Sequence, residues 1–136
     1  MTIRPKVISG PATEPVSAAE VKLHARIDGA TEDDLLDIYI AAAREYFEDH
    51  AAYTIHEQTL ECTLDGWPAS EYIELPRATP LISVTSVIYY DSQGTATTWG
   101  ASGYEVATDC VPGRIYLPIN GQWPSSDLRR HDSIRI

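Results

Sequence analysis

Three carboxylates, Asp33, Asp34 and Asp37, crowd into the stretch "TEDDLLD". Such a group performs acid–base work when the surroundings split the pKa values of its members. Here the three fall in the first turn of a helical segment or on the side away from its apolar residues. Carboxylates in those places ordinarily face the helix dipole and solvent. A carboxylate-based hydrolase therefore has no support beyond the cluster itself. The four histidines, His24, His50, His56 and His131, form no HxxH or HExxH pattern. His50 follows "YFED" at the end of a helical segment, where a cation is favoured. A metal site from His50, His56 and Glu57 is the less favoured alternative.

Cys62 and Cys110 stand far apart and match no zinc spacing. They read as two buried small hydrophobes in a reducing cytoplasm. No serine lies in a GxSxG elbow, and the glycines are scattered through turns, with none forming a phosphate-cradling loop. "DSQG" lacks the remaining ligands of a cation loop and reads as a hairpin turn. No cofactor is expected, and the chain is not expected to be an enzyme.

The elements that would position these residues fall into two parts. Residues 1–16 hold three prolines and a glycine and read as an extended arm. Ser17 and Glu20 have capping-box spacing, with Val16 and Val21 placed for a hydrophobic staple. This predicts a helix to about Ile27, stopped by Asp28–Gly29. Thr31 is the expected cap of a second helix. Leu35, Tyr39, Ala42 and Tyr46 form one apolar stripe of that helix, and Leu36, Ile40, Ala43 and Phe47 the adjacent one. That face is broader than one short partner helix needs, so a further packing partner is expected.

Beyond about Ala52 the period changes to that of strands. Leu60, Cys62 and Leu64 alternate with Thr59, Glu61 and Thr63. "YIEL" (72–75), "SVTSVIYY" (83–90), "TATTW" (95–99), "YEVAT" (104–108) and "RIYL" (114–117) read as further short strands, and "DSIRI" as the start of another. The fold class is thus α+β, a short helical pair followed by a lobe of antiparallel strands. The boundaries are 1–16 for the arm, 17–53 for the helical part and 54–136 for the β-rich lobe. Trp67, Trp99 and Trp123 all lie in the lobe. They either fill its core or, as Trp99 and Trp123 would beside their turns, anchor an interface.

Charge narrows the partners. The 136 residues carry a formal net charge of −10, with 43% hydrophobic and 22% charged residues. With no basic block, the chain is a poor candidate for gripping phosphate backbones. No apolar run is long enough to cross a bilayer and no secretory signal is visible, so a soluble protein made in a cytoplasm is expected. From Glu14 to His50 there are ten acidic and three basic residues; from Arg114 onward there are four basic and two acidic. An acidic patch and a basic end can pair head to tail in a ring. Asp33, Asp34 and Asp37 on one protomer would then face Arg129 and Arg130 on the next.

The order of five segments carries a resemblance: "EPVSAAEVKLHARID", "EDDLLDIYIAAAREYFED", "QTLECTLDGWP", "IELPRATPLISVTSVIYYDSQGT" and "YEVATDCVPGRIYLP". Together they resemble the head–tail connector (adaptor) family of long-tailed phages, in its larger form with a β lobe. The resemblance implies a virion structural protein of the head–tail neck, present in the host cytoplasm during assembly. It implies a ring of copies, dodecameric in the virion, below the portal protein. That ring would be the platform for the next neck, stopper or tail protein. DNA would pass through the lumen without specific binding, and no membrane is involved. Proteins of this kind usually continue into a tyrosine- and glycine-containing turn and C-terminal helices. Those helices are not seen in this sequence, which stops at "SIRI", and they would be the further packing partners of the second helix's broad apolar face. The alternative is a small β-rich module displaying tryptophans to a carbohydrate or protein ligand.

Overall fold

A computed structural model describes residues 2–124 and 127–136. The proline-bearing start of the chain forms strand β1 (Arg4–Ser9). Helix α1 (Ala18–Ala25) begins on the expected capping box: the Ser17 hydroxyl accepts from the Glu20 N–H at 3.3 Å, and the Glu20 carboxylate accepts from the Ser17 N–H at 2.8 Å. The helix stops earlier than Asp28–Gly29, at Arg26, which adopts the left-handed conformation (φ 56°). Helix α2 (Asp33–Ala51) follows. Its cap position is Glu32 and not Thr31, and no side chain closes it. A backbone turn does that work, with the Asp33 N–H donating to the Ala30 carbonyl at 3.4 Å.

The lobe contains β2 (Thr59–Leu64), β3 (Tyr72–Glu74), β4 (Val87–Tyr90), β5 (Ala96–Trp99), β6 (Glu105–Ala107), β7 (Arg114–Tyr116) and β8 (Ile134–Arg135). They build two antiparallel sheets, of order β1-β2-β8-β4-β5 and β3-β7-β6. The α+β class read from the sequence is the class observed. The extended start of the chain is an edge strand of the larger sheet: Arg4 pairs with Thr63 and Lys6 with Glu61. Pro5 lies opposite Cys62, whose own N–H and C=O turn the other way, to Ile136, at 2.8 and 3.0 Å. A residue with no N–H to give is tolerated there because the ladder asks for none.

The core lies between the sheets. Cys62, Leu64, Val87 and Ile134 come from the larger one, and Ile73 and Ile115 from the smaller, joined by Leu75. The alternation Leu60, Cys62, Leu64 turns these side chains inward as expected. The β4–β5 hairpin turns at "DSQG", where Asp91 Oδ1 accepts from the Gln93 and Thr95 N–H groups at 2.9 and 2.8 Å. One expected strand is only half formed. Of Ser83–Tyr90, only Val87–Tyr90 pair, because β5 ends at Trp99, opposite Val87, where the chain turns into the short helical turn Ala101–Gly103.

At one end of the lobe, Trp67, Trp99 and Trp123 meet. The Trp67 and Trp123 rings are stacked at 5.2 Å, and Trp99 packs on both at 5.4 and 5.6 Å. Tyr89 and Tyr104 complete the group. A side chain on Gly103 would collide with the Trp99 indole, so only glycine fits this approach.

Candidate interaction surface on the helical pair

Helix α2 turns a charged line toward the body of the protein. Ile40, Arg44 and Glu48, four residues apart, are its buried positions. Glu48 is completely inaccessible. Its carboxylate accepts from Arg44 Nη1 at 3.1 Å, from Arg77 Nη2 at 3.3 Å, from Gln58 Nε2 at 3.1 Å and from the Ile55 N–H at 3.0 Å. Burial by itself would push this carboxyl up. The Ile55 N–H, the Gln58 amide and the Arg44 guanidinium outweigh it and hold the group below its ordinary value. Arg44 also grips Glu14 through Nε at 2.7 Å, and Arg77 reaches Asp49 at 2.9 Å. This network joins the segment before α1, the helix α2 and the loop after β3. It is the fastening between helices and lobe.

The opposite side of α2 is apolar and uncovered. Leu35, Tyr39, Ala42 and Tyr46, the first stripe read from the sequence, all face solvent, Tyr39 and Tyr46 with 60% and 66% of their surface. Of the second stripe, Ile40 is buried and Leu36 half-buried, while Phe47 stays 51% exposed. Ile38 and Leu23 of α1 are exposed as well. The broad face therefore finds no partner among the described residues. Contiguous exposed apolar surface of this kind is a candidate for burial against a further packing partner.

The residues singled out from the sequence are not gathered in one place by the chain itself. Asp33 is held by Lys22 Nζ at 2.6 Å, which ties α1 to α2. Asp34 and Asp37 are exposed on α2. Arg129 donates to the Asp132 carbonyl through Nε at 3.0 Å and lies over the Tyr90 ring at 3.9 Å; Arg130 is exposed. Trp99 and Trp123 are half-buried in the aromatic group, and Trp123 Nε1 donates to the Ser70 carbonyl at 2.9 Å. His50 contacts the Tyr46 carbonyl at 3.1 Å and packs on the Tyr46 ring at 4.0 Å. Among the described residues, no three His, Cys, Asp or Glu side chains stand close enough to hold a metal ion.

Sequence reading missed the hub residues Glu48, Arg44 and Arg77. Their one visible signal is the four-residue spacing of Arg44 and Glu48, which places both on one helix face. That spacing alone resembles an ordinary surface pair. Arg77, 29 positions from Glu48, gives no local sign.

Comparison with known proteins agrees with this arrangement. The family model of the phage gp6-like head-tail connector protein matches residues 17–98, which include both helices and run into β5. A search of the curated proteins finds no match. Among solved structures, the chain is similar to one from the neck of an empty GTA particle computed with C6 symmetry. The match has a TM-score of 0.76 at 22% identity and covers 99% of this chain and 68% of that one. At this identity the likeness is one of fold.

Proposed function

The chain belongs to the phage gp6-like head-tail connector family, and from that membership we propose that it forms a ring at the neck of the particle. Its role is structural, and its place is the virion. In the proposed assembly, copies meet through the uncovered face of α2, beneath the portal protein. The β lobe meets the next neck, stopper or tail protein. The ring is dodecameric in this reading, and free subunits wait in the host cytoplasm.

The observation that carries the proposal is the apolar stripe Leu35–Tyr39–Ala42–Tyr46, turned away from the body of its own protein. Burying such a stripe between copies gives an assembly its driving force at roughly 25 cal/mol per Å². Beside it, Asp34 and Asp37 are exposed and without ion-pair partners among the described residues. Arg130 is similarly exposed. These three are the proposed head-to-tail contacts, with Asp33 and Arg129 positioned next to them. The negative net charge suits a passage that lets DNA slide without sticking. The rival reading, a module displaying tryptophans to a ligand, is disfavoured because the three indoles pack on one another.

Disruption of the gene in the particle that encodes it, followed by electron microscopy of the lysate, tests the proposal. DNA-filled heads beside detached tails, or heads that have lost their DNA, are the expected outcome. Normal infectious particles would overturn it.

A further inference from the structure

Half of the chain's ten Lys and Arg residues, namely Arg4, Lys6, Arg129, Arg130 and Arg135, stand on or beside one side of the larger sheet. The register fixes which side. Arg4 pairs with Thr63, Thr63 with Arg135, Arg135 with Ile88 and Ile88 with Thr98, one row across all five strands. Cross-strand partners share a face, and so do residues two apart on a strand. Lys6, Glu61 and Tyr90 therefore lie on the face of that row, while Cys62, Leu64 and Ile134 lie on the other, in the core. The outer face is open to solvent: Lys6 and Thr98 are exposed, and the Arg4 and Arg135 side chains remain 47% and 40% accessible. Arg129 and Arg135 both lie over the Tyr90 ring, at 3.9 and 5.3 Å.

The cations of this face are poorly matched by its carboxylates. Arg4 is taken by Asp65 and Asp132. Arg135 has Glu61 at 3.9 Å, and its Nε has no hydrogen-bond partner. Arg129 donates to a carbonyl, and Lys6 and Arg130 have no ion-pair partner among the described residues. The other cations are mostly spent inside the chain: Arg44 and Arg77 on Glu48, Lys22 on Asp33 and Arg114 on Glu74, with Arg26 exposed. In a protein of net charge −10, a face with unmatched positive charge selects its partner by sign.

The matching surface lies on the same chain. Asp28, Glu32, Asp34 and Asp37, from the α1–α2 connection into α2, are exposed and without ion-pair partners among the described residues. Leu35 and Ile38 stand exposed among them. This end of the helical pair thus offers carboxylates interleaved with aliphatic side chains. The sheet face offers cations interleaved with Ile88 and Tyr90. A phosphate backbone would meet the cations and leave those apolar groups unused. Within one chain no ion pair joins the two sets among the described residues.

We propose that the outer face of the larger sheet, around Lys6, Tyr90, Arg130 and Arg135, receives the start of helix α2 from a second copy of this chain. The contact is heterologous, so each copy uses its acidic helix end on one side and its basic sheet face on the other, and a closing rotation makes a ring. The inference rests on the ring reading and deepens it by naming the surface that α2 meets.

Lys6 makes the test specific, because it and Lys22 are the two lysines of the sequence. Purified particles are treated with a carbodiimide, which joins an amine to a carboxylate in direct contact. The expected result is a ladder of linked chains on a denaturing gel, with Lys6 joined to Asp34 or Asp37 by mass spectrometry. Lys6→Arg, which keeps the charge and removes the amine, is expected to abolish the ladder. The Lys22–Asp33 pair, at 2.6 Å inside one chain, is the internal control. A Lys22–Asp33 link without a ladder would overturn this contact and leave the ring standing. Lys6 joined to a different neck protein would overturn the second copy as occupant. Particles that lack the chain would overturn the ring reading and this contact with it. Charge reversal gives a second readout. Lys6→Glu with Arg130→Glu is expected to lower incorporation into particles about tenfold, and adding Asp34→Lys with Asp37→Lys to restore it. Failure of that restoration, with every variant folded by circular dichroism, would overturn the pairing.

Discussion

Arg77, in the loop after β3, donates to the Glu48 carboxylate at the end of α2 at 3.3 Å. Through this contact the lobe holds the helix by a charge. Apolar packing contributes little here, since Ile40 is the only buried hydrophobic residue of α2. A buried carboxylate with four donors is stable only while all are present; removing it strands Arg44 and Arg77 in a desolvated site.

Replacement of that carboxylate is therefore the most damaging single change expected outside the lobe core. Glu48→Ala should cost about 3–5 kcal/mol, as loss of one member of a buried ion pair does. Urea unfolding followed by circular dichroism checks the value. Glu45→Ala, on the exposed side of the same helix, should stay within about 0.5 kcal/mol.

Acid should loosen the protein at two places. The carboxyl of Glu48 is held low despite its burial, and that of Asp65 is held low by Arg4 and the Asp132 N–H. A group whose folded pKa is depressed contributes stability above its unfolded value and loses it as the pH falls through the folded one. The melting temperature should thus be flat above about pH 5 and drop as the pH falls below about 4. Thermal scans from neutral pH downward measure this. Asp65→Asn should reduce the slope of the drop, and an unchanged slope would refute the Asp65 share.

How far the sequence predicts the fold depends on where the information sits. The capping box of α1, the alternation in β2 and the turn at Asp91–Gly94 are local patterns, and each is observed. Residues 83–86 have strand composition yet remain outside the strand, because their neighbour β5 ends at Trp99, opposite Val87, and the chain there turns away into Ala101–Gly103. The apolar face of α2 is legible in the sequence, but its exposure is not, since periodicity gives a face and not its partner. The hub at Glu48 is invisible for the same reason: two of its donors, Gln58 and Arg77, lie outside the helix, Arg77 29 positions away.

Helix α1 should melt without the lobe. It contains no buried residue, and its capping box is one of its few fastenings. Ser17→Ala should weaken it by about 1 kcal/mol. Faster amide exchange within Ala18–Ala25, with an unchanged melting temperature of the lobe, is the expected pattern.

The uncovered stripe of α2 should matter for assembly and not for folding. Leu35→Asp and Tyr39→Asp, each at an exposed position, should leave the subunit's stability within about 0.5 kcal/mol. Both should abolish incorporation into particles, read by electron microscopy and by protein content of purified heads. Normal incorporation would remove the stripe from the subunit contacts.

The two thiols should differ sharply. Burial, with a further push from Glu61, raises the Cys62 thiol to about 11, while Cys110 is partly accessible. A thiol reagent at pH 8 should label one cysteine per native chain, Cys110, and both after denaturation. Rapid labelling of two in the native state would contradict the buried position of Cys62.

The aromatic group at the end of the lobe gives the protein a built-in optical asymmetry. All three tryptophans stand together there, and neither helix contains one. Tryptophan fluorescence, excited at wavelengths that tyrosine does not absorb, thus reports on that end of the lobe, whereas far-ultraviolet dichroism is dominated by α1 and α2. The two signals watch separate halves of one molecule, and their melting curves coincide only if Glu48 and its partners make those halves unfold as a single cooperative unit.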